Sequence, residues 1–526
     1  MKSNVVKYIF VIVVILIIIF AIFIGKKGEE ENNNQNNVEV KDERIKEIKL
    51  GIAKLDTINP ILSKNKNVQE IEKLIFEPLV TLSKDYKAEP ALAKEWSRTS
   101  ENTFLVKLRE NVRWSNGKRF TSDDVKFTIE RLKDTDSIYS ANVRNVTGIE
   151  IMDDYMLQIN LDSDIPFFEY NLIFPILSRQ YYEGEDFVNS PKNQNPVGTG
   201  MFQIQEVKNS YIILDKNPYW WNKDMQITLE RIVINLYSNL GELYNNFKLG
   251  NIDFIASNSP KLQEYIGNVG YNFKELNGRE HTFITINHAN EVLAYPEVRK
   301  AISYSLDKGK IVTEVLNNKY RVSSFPLDYG NWLVSDQNAS VGFSIDQAKR
   351  TLMDARWKYS GGRWQKTENY KTKVLTANLM VRDNDQNKIK VAESIKEQLR
   401  QAGIIINIEK VPQDQYNARI AEKKYDMALS SIILSPSPNL ETFLGVNNMA
   451  NYKNDEVFNI LNEVKKTKDE KVLKEKYQRL FEIYKNDVPY ISLYNDKYTV
   501  AYSPSIVGEL NPNWFYQFYG IEGWYK

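Results

Sequence analysis

The chain has 526 residues, and several sub-domains are expected because one hydrophobic core rarely extends past about 300 residues. Apolar residues make up 42% of the chain and charged residues 26%, which excludes a disordered, collagen-like or wholly membrane-embedded protein. The 69 basic and 68 acidic residues give a net charge of +1, so no nucleic-acid partner is expected. The absence of cysteine excludes disulfides, thiolate metal sites, a cysteine nucleophile and a lipid anchor on cysteine.

The first predicted element is the uncharged run YIFVIVVILIIIFAIFI at residues 8–24. Its length is near the lower limit of a membrane-spanning helix, about 17 residues, and exceeds the apolar part of most signal peptides, about 7–15 residues. Small residues at the spacing of a cleavage site are missing after the run, which favours an uncleaved anchor over a cleaved signal. Residues 1–27 are therefore predicted to form a signal-anchor, one transmembrane helix. The flanking lysines favour a cytoplasmic N-terminus, with the bulk of the chain extracellular or periplasmic.

Residues 28–44, GEEENNNQNNVEVKDER, are polar and low in complexity. Such a segment cannot bury enough apolar surface to order itself. It is predicted to be a flexible linker between the membrane and the folded body.

From Ile45 onward, short apolar strands alternate with amphipathic helices, a pattern typical of an α/β fold. Thr121 and Asp124 fit a capping box at the start of one helix, and Pro296 fits the first position of another. Gly403 fits the end of a third helix. The predicted strands are Phe104–Leu108, Met156–Leu161, Tyr211–Leu214, Ile232–Tyr237, Thr282–Asn287, Val374–Met380 and Tyr490–Tyr494.

The sequence contains no familiar catalytic motif. Nucleophile-elbow, P-loop, dinucleotide-binding, zinc-protease and EF-hand patterns are missing, so the chain is predicted not to be an enzyme and to need no cofactor. The two histidines, His281 and His288, flank one predicted strand. They leave two interpretations open, a metal site or ordinary packing, and the missing third ligand favours packing.

A series of short motifs runs through the body in a fixed order. These motifs are Glu89–Trp96 (EPALAKEW), Phe104–Trp114 (FLVKLRENVRW), Phe120–Val125 (FTSDDV), Pro196–Phe202 (PVGTGMF), Asn217–Trp220 (NPYW), Val298–Asp307 (VRKAISYSLD), Tyr425–Met427 (YDM) and Pro489–Tyr494 (PYISLY). Each motif alone is weak, whereas the ordered set is specific. Together they resemble the family 5 extracellular solute-binding proteins, the peptide- and nickel-binding components of ABC importers.

The resemblance implies a two-lobed bivalve of the periplasmic-binding-protein type with an extra sub-domain, which closes on its ligand by a hinge. Lobe I would combine residues 45–85, 198–285 and 495–526. The extra sub-domain would span residues 86–197, and lobe II residues 286–494.

Peptide-binding relatives hold the two ends of the ligand with charged anchors. By the resemblance, the position of the acid that holds the ligand amine falls on Ser435, and a hydroxyl cannot replace a carboxylate against an ammonium group. Asn439 and Glu441 are the nearby polar substitutes. Arg382 lies where some relatives place an arginine for the ligand carboxylate, and the alternative is a solvated surface side chain. The other residues assigned to ligand binding are Asn59, Asn287, Gly198 and Thr199, and for Gly198 a simple turn is the alternative.

The function implied by the resemblance is that of a membrane-anchored substrate-binding protein of an ABC importer, which captures oligopeptides or a similar polar solute. The expected partners are this solute, the permease subunits and the membrane, and the body is expected to be a monomer. Two alternatives stay open. One is a sensory surface receptor that presents its ligand to a partner, and the other is a receptor for a non-peptide solute such as a metal chelate.

Overall fold

The structure is a computed structural model that describes residues 45–257, 262, 270–334 and 342–526, and the fold below is that of the compact unit Lys46–Lys526. The predicted anchor and linker, residues 1–27 and 28–44, lie outside the described residues. Among the described helices, none has the length and apolar character that a membrane crossing requires.

The first part of the body contains two four-stranded sheets and one short strand pair. Its strands are β1 (Glu47–Ala53), β2 (Val80–Leu82), β3 (Ala88–Pro90), β4 (Ala93–Ser100), β5 (Thr103–Leu108), β6 (Val146–Asp153), β7 (Met156–Leu161), β8 (Phe202–Val207), β9 (Tyr211–Lys216) and β10 (Arg231–Tyr237). Its helices are α1 (Lys66–Glu72), α2 (Ser122–Asp134), α3 (Ser140–Val143), α4 (Arg179–Tyr182) and α5 (Leu240–Lys248). Turns of 3-10 helix lie at Phe168–Leu172 and Pro191–Gln194.

The first sheet has the order β1-β10-β9-β8, with β1 parallel to β10 and the other neighbours antiparallel. The second sheet, β4-β5-β7-β6, is antiparallel throughout, and β2 pairs with β3. Along β7, Leu157, Ile159 and Leu161 are buried in alternation, because successive side chains of a strand point to opposite faces. The helix α2 begins at the predicted capping box, in which the Thr121 backbone N–H donates to Asp124 Oδ2 at 2.9 Å.

The second part of the body contains a seven-stranded sheet and a three-stranded sheet, the latter with the order β14-β15-β16. Its strands are β11 (Phe254–Ser257), β12 (Asn272–Ile286), β13 (Tyr320–Val322), β14 (Lys358–Ser360), β15 (Arg363–Glu368), β16 (Lys371–Val374), β17 (Thr376–Arg382), β18 (Ile405–Val411), β19 (Met427–Ile433) and β20 (Tyr490–Tyr502). Its helices are α6 (Pro296–Tyr304), α7 (Lys308–Lys310), α8 (Ile345–Asp354), α9 (Gln386–Gln401), α10 (Gln413–Ala421), α11 (Glu441–Leu444), α12 (Asp455–Lys466) and α13 (Glu470–Asp487). A π-helical turn lies at Ile311–Val315 and a 3-10 turn at Ile521–Gly523.

The seven-stranded sheet has the order β11-β20-β12-β19-β17-β18, and β13 also pairs with β20. Its two longest strands, β12 and β20, are antiparallel neighbours that lose their register between Asn277 and His281. On one side of this shift, Tyr498 and Val500 of β20 belong to the same hydrophobic core as both four-stranded sheets. On the other side, Ile491 and Leu493 belong to a second core, which packs around β17, β18 and α9. The strand pair therefore joins two separately packed regions.

The last residues of the chain pack into the first core. Phe518, Ile521 and Trp524 are buried there, and the rings of Phe518 and Trp524 lie 5.2 and 5.6 Å from the ring of Phe254 in β11. The first core thus joins the beginning of the body, the second sheet and the C-terminal residues. A third cluster packs α12 and α13 against the segment that holds Phe325 and Leu327.

The predicted strands are confirmed, with several boundaries corrected. β12 begins at Asn272 and ends at Ile286, and β20 continues to Tyr502. The segment predicted as a single strand at Val374–Met380 is divided at Leu375, which lies between β16 and β17. The predicted helix starts at Thr121 and Pro296 are confirmed, and Gly403 has a positive φ of 79° just after α9, as a helix C-terminus requires.

Candidate functional site

A polar recess lies where β12, β13 and β20 meet the loop that follows β13. We call it the junction recess, and its lining residues are Asn277, Arg321, Val322, Ser323, Ser324, Leu327, Tyr329 and Asn495. Arg321 lies opposite Asn495 in the pairing of β13 with β20. Asn277 lies on β12 at the last paired position before the register shift. The recess therefore occupies the point at which the strands between the two cores are interrupted.

His281 holds the side chain of Asn495 in one orientation. Burial lowers the pKa of His281 to about 4, so its imidazole is neutral at pH 7. Its Nδ1 lies 2.7 Å from Asn495 Oδ1 and its Nε2 lies 3.2 Å from Ser492 Oγ. With Asn495 in this orientation, Nδ1–H donates to the amide oxygen and Nε2 accepts from Ser492. The Tyr484 hydroxyl, 3.0 Å from Ser492 Oγ, extends the chain of hydrogen bonds into the third cluster.

A buried ion pair lies beside the recess. Arg279 Nε and Nη2 donate to the two carboxylate oxygens of Asp328 at 2.7 and 3.1 Å, and the two side chains are only 2% and 4% exposed. The guanidinium also lies 4.3 Å from the ring centroid of Phe515 and 5.2 Å from that of Trp514. A bidentate pair between aromatic rings fixes Arg279 rigidly, since it satisfies the geometry of the guanidinium and of the carboxylate together.

A second cation, Lys66, also contacts Trp514. Lys66 Nζ lies 3.8 Å from the ring centroid of Trp514 and 4.6 Å from that of Tyr498. Burial lowers the pKa of Lys66 to about 8, and the charge of Glu70 opposes this shift. The start of α1 and the C-terminal residues therefore meet β20 through cation–π contacts.

Acidic side chains surround the register shift itself. Asp496 Oδ1 accepts a hydrogen bond from the Glu280 backbone N–H at 2.8 Å, and burial raises the pKa of Asp496. Glu280 lies 3.8 Å from Lys388, which is also paired with Asp385 at 3.0 Å. This side of the strand pair is therefore polar and charged, in contrast to the two cores on either end.

Arg382, the predicted carboxylate anchor, lies at the end of β17. Its Nη1 donates to Gln413 Oε1 at 2.8 Å and its guanidinium lies 5.7 Å from the ring centroid of Tyr416. Its Nε is buried and forms no hydrogen bond with the part of the chain that the structure describes. Arg382 thus combines a structural contact with one free donor, and its role in binding stays a prediction.

Ser435 and Asn439, predicted for the amine end of the ligand, lie in the loop after β19. Ser435 is exposed, and its Oγ accepts from the Ser437 backbone N–H at 3.2 Å. Asn439 Oδ1 accepts from the Glu441 backbone N–H at 2.9 Å, next to the start of α11. The carboxylate of Glu441 is paired with Lys465 at 2.5 Å. In the structure, these contacts shape the loop.

Asn287 and Asn59 are buried, and each is hydrogen-bonded to a distant segment of the chain. Asn287 Nδ2 donates to the carbonyl oxygens of Lys423 and Tyr425 at 3.1 and 2.8 Å. Asn59 is completely buried, and its Nδ2 donates to Asn193 Oδ1 at 2.8 Å. Both amides therefore connect segments that are distant in sequence.

Gly198 and Thr199 lie against the turn that follows α1. A Cβ at Gly198 would lie 1.9 Å from the backbone oxygen of Ile75, so this position requires glycine because the two backbones approach closely. Thr199 is 1% exposed and lies beside Glu77. Trp220 Nε1 and Trp221 Nε1 both donate to Glu77 Oε1 at 3.1 Å, and burial raises the pKa of Glu77 to about 7.

The structure thus distributes the seven predicted residues over several places. Among the described residues, no hydrogen bond joins two of the seven. The candidate site contains three residues that the sequence analysis did not single out, Asn277, Arg321 and Asn495 of the junction recess. His281, which the sequence analysis gave as a metal ligand or a packing residue, bonds to Asn495. The only sequence signal of these residues is a polar interruption in otherwise apolar strands, as in the run Asn277–His281 and again at Asn495.

The histidines do not converge on one site. His288 Nε2–H donates to the Pro489 carbonyl oxygen at 3.3 Å, and its ring lies 5.2 Å from that of Tyr452. Burial lowers its pKa to about 3. Each histidine therefore has its own packing contacts. Over the described ranges, no group of three or more histidine, aspartate or glutamate side chains is arranged to hold a metal ion.

Two packed regions are joined by a strand pair, with a polar recess at the joint. This arrangement is typical of the periplasmic-binding-protein fold. A family model, described as bacterial extracellular solute-binding proteins, family 5 middle, matches residues 87–454. Because the match covers more than half of the chain, the protein belongs to the family 5 bacterial extracellular solute-binding proteins. The predicted family is thereby confirmed.

Known proteins resemble the chain over most of its length. The nickel-binding protein NikA of Staphylococcus aureus is 24% identical over 442 residues, which cover 81% of this chain and 84% of the relative. The oligopeptide-binding protein AppA of Bacillus subtilis is 22% identical over 495 residues, or 89% of each chain. Among solved structures, the periplasmic murein tripeptide-binding protein MppA in its unliganded open form matches 91% of this chain and 97% of its own at 17% identity, with a TM-score of 0.75. The structural match confirms the predicted α/β, periplasmic-binding-protein-like fold class.

Proposed function

We propose that the protein captures oligopeptides or a similar polar solute outside the cell and delivers them to the permease subunits of an ABC importer. The observation that carries this proposal is the interrupted pairing of β12 with β20, where a polar recess lies between two separately packed cores. A binding protein needs such a joint, because two rigid bodies can close on a ligand only about a few residues that absorb the movement.

Hinge closure would take place at the register shift. Neighbouring strands that keep their register transmit motion as one rigid sheet, whereas a shift removes ladder hydrogen bonds and lets the strands bend. Gly278 lies within the shift, and a Cβ there would lie 2.0 Å from Asp496 Oδ1. The residue types at the shift therefore support a hinge between lobe I (45–85, 198–285 and 495–526) and lobe II (286–494), with the extra sub-domain (86–197) moving with lobe I. The shared core of the two four-stranded sheets supports that common movement.

The ligand class is proposed as a peptide rather than a metal chelate. The relatives include both a nickel-binding and an oligopeptide-binding protein. A peptide is favoured because its backbone offers both hydrogen-bond donors and acceptors, which match the amides and the guanidinium of the recess. The bonding of His281 and His288 to other groups supports the same choice. We also propose that the protein is a monomer and not an enzyme, since its family consists of binding proteins.

We also propose that the N-terminal segment anchors the protein in the membrane. The uncharged run at residues 8–24 supports a transmembrane helix that would hold the binding protein beside its importer, and residues 28–44 would act as the tether. Alkaline carbonate extraction tests this directly. The full chain should stay with the membrane fraction, and a chain without residues 1–27 should not. Release of the full chain by carbonate would refute the anchor.

The ligand proposal is tested by native mass spectrometry of the full chain released from detergent micelles, followed by denaturation to identify co-purified molecules. The expected result is a ladder of peptide masses. Small-angle scattering before and after addition of a random tripeptide library should show a decrease in the radius of gyration. A protein that is empty after purification and that binds no member of the library would refute peptide capture.

A further inference from the structure

Outside the strand pair, a second contact joins the early part of the body to the third cluster. Trp332 lies in the segment that follows β13, and its backbone N–H donates to the Asp85 carbonyl oxygen at 3.1 Å. Its indole Nε1–H donates to the Tyr170 hydroxyl at 3.2 Å. The two bonds therefore hold one tryptophan against two segments that are distant from it in sequence.

The hydroxyl group that receives the indole bond is itself fixed. Tyr170 is buried, and its hydroxyl donates to the Tyr86 carbonyl oxygen at 3.1 Å and accepts from the Ala88 backbone N–H at 3.2 Å. A hydroxyl has one donor and two acceptor positions, so the bond from Trp332 fills the last of them. Tyr170 therefore presents a rigidly placed acceptor to Trp332.

The backbone of Phe167 is strained where its ring enters the third cluster. Its φ of 55° and ψ of 42° lie in the left-handed region, which is uncommon for a residue with a large side chain. The ring lies 6.1 Å from that of Tyr170 and 6.4 Å from that of Tyr477 in α13, edge-on in both cases. Such strain persists only where surrounding contacts offset it. The ring contacts to Tyr170 and Tyr477 supply this stabilisation.

An ion pair lies at the rim of the same contact. Lys87 Nζ lies 2.6 Å from Glu470 Oε1, and the two side chains are 37% and 53% exposed. Lys87 Nζ also lies 5.8 Å from the ring centroid of Trp332. Solvent screens an exposed pair of this kind, so the pair adds little stability by itself. The contact is therefore aromatic at its centre and open to water at its rim.

We propose that these contacts form a latch, which holds the extra sub-domain against lobe II and must break before the two can separate. This inference rests on the proposed function, because it concerns the hinge movement at the register shift. The latch consists of Lys87, Phe167 and Tyr170 on the side of the sub-domain and of Trp332, Glu470 and Tyr477 on the side of lobe II.

The bonding at this contact favours a latch over a permanent interface. Among the described residues, only one backbone hydrogen bond crosses the contact, the bond from Trp332 to Asp85. The strands of the two four-stranded sheets pair with no strand of the seven-stranded sheet. A few side-chain contacts can break during a domain movement, whereas a continuous strand ladder would have to break many bonds at once. While the latch is closed, the sub-domain is held by both lobes, and rotation about the hinge is blocked.

The distance between the sub-domain and lobe II tests the proposal. The chain contains no cysteine, so Lys94→Cys and Lys466→Cys place two spin labels at exposed positions in β4 and α12, outside the latch. The labelled full chain in lipid nanodiscs is measured by double electron–electron resonance. Trp332→Ala should raise the fraction of molecules at longer distances by about fivefold or more, because it removes a ring contact and a hydrogen bond.

Further variants serve as controls. Trp332→Phe keeps an aromatic ring and removes the indole donor, so a smaller increase is expected, and it replaces Trp332→Ala if that variant does not fold. Lys87→Met should raise the longer-distance fraction by about twofold. Lys107→Met breaks a similar exposed pair with Glu95 inside the sub-domain and should leave the distances unchanged. Distances that stay the same in both Trp332 variants would overturn the inference.

A random tripeptide library separates the latch from peptide capture. If the proposed function holds, the library should return labelled Trp332→Ala toward the short distance, because a ligand favours the conformation that it binds better. If the library changes no distance but Trp332→Ala still lengthens it, peptide capture fails and the latch stands. If wild type and Trp332→Ala agree before the library is added and both respond to it, the latch is refuted and peptide capture stands.

Discussion

The carboxylate of Asp496 accepts a hydrogen bond from the backbone N–H of Glu280 at 2.8 Å, at the position where β12 and β20 lose their register. This bond replaces part of the ladder that the register shift removes. It also occupies the space above Gly278, where a Cβ would lie 2.0 Å from Asp496 Oδ1. The absence of a side chain at residue 278 therefore makes the hydrogen bond sterically feasible.

Gly278→Ala should displace the Asp496 side chain and break its bond to Glu280. The expected loss is about 1–3 kcal/mol in the free energy of unfolding, from crowding and from an unsatisfied backbone donor. Urea denaturation monitored by tryptophan fluorescence measures it. Gly148→Ala is the matched control, because Gly148 also lies in a strand and its nearest neighbour would be at 3.8 Å. Equal midpoints for the two variants would contradict the steric argument.

Asp328→Asn should be strongly destabilising, because it leaves the buried guanidinium of Arg279 without its counter-charge. Breaking one partner of a buried ion pair costs about 3–5 kcal/mol. The exposed pair of Arg400 with Glu397 provides the control, and Glu397→Gln should change stability by less than about 1 kcal/mol. Thermal and urea unfolding of both variants would show the difference. If Asp328→Asn lowers the free energy of unfolding no more than Glu397→Gln does, solvent reaches Arg279.

Acid should destabilise the fold through His281. Its pKa is about 4 in the folded chain, against 6.5 for a histidine exposed to water, so the unfolded chain binds the proton first as the pH falls. The stabilisation is complete above pH 6.5 and is lost as the pH falls toward 4, by about 3 kcal/mol. His281→Gln should reduce the dependence of the unfolding midpoint on pH in this window. His288→Gln should leave unchanged the part of this pH dependence that comes from His281. A pH dependence that His281→Gln does not alter would show that this histidine stays neutral in both states or charged in both.

The titration of Glu77 should be visible in the fluorescence of the two tryptophans that donate hydrogen bonds to it. Burial raises its pKa to about 7 from 4.5, so the folded chain takes up the proton first and the stability from this group is lost as the pH rises from 4.5 through 7. Because Trp220 and Trp221 donate to this carboxylate, tryptophan emission should change with a midpoint near pH 7. Glu77→Gln should remove the transition. Its persistence in the variant would assign it to another group.

Local signals in the sequence predicted the elements whose stability is local. The capping box at Thr121 and the glycine at Gly403 are each satisfied by residues a few positions away, so a short window of sequence contains the whole interaction. The alternation along β7 is visible for the same reason, since one face of that strand meets a core and the other does not.

The polar half of β12 was not predicted because its stability comes from residues far away in sequence. Residues Asn277 to Glu280 lack an apolar pattern, and they are held by β20, by Asp496 and by Asp328. Only the apolar end at Thr282–Ile286 has a strand signal of its own. Strand pairing across such a distance cannot be read from periodicity.

The seven residues assigned to ligand binding remain predictions, in contrast to the fold. The resemblance assigned Gly198 and Thr199 to ligand binding, and the structure shows Gly198 packed closely against the backbone of Ile75, just after α1. The resemblance assigned no role to Arg321. Arg321 lies in a three-residue strand without alternation or motif, so periodicity does not distinguish it from its neighbours. Whether an arginine has a hydrogen-bond partner in the folded chain cannot be predicted from the sequence around it.

The burial of Phe518, Ile521 and Trp524 in the same core as Ile48 and Leu50 limits the order in which the protein can fold during synthesis. The first residues of the body leave the ribosome early, but their core is complete only after the final segment has been made. Until then, apolar surface around β1 and β10 stays uncovered, and such surface attracts chaperones or promotes aggregation. The region containing α9, β17 and β18 takes its core residues from within the later part of the chain and can be completed sooner. The N-terminal region of this body is therefore the last to reach its final packing.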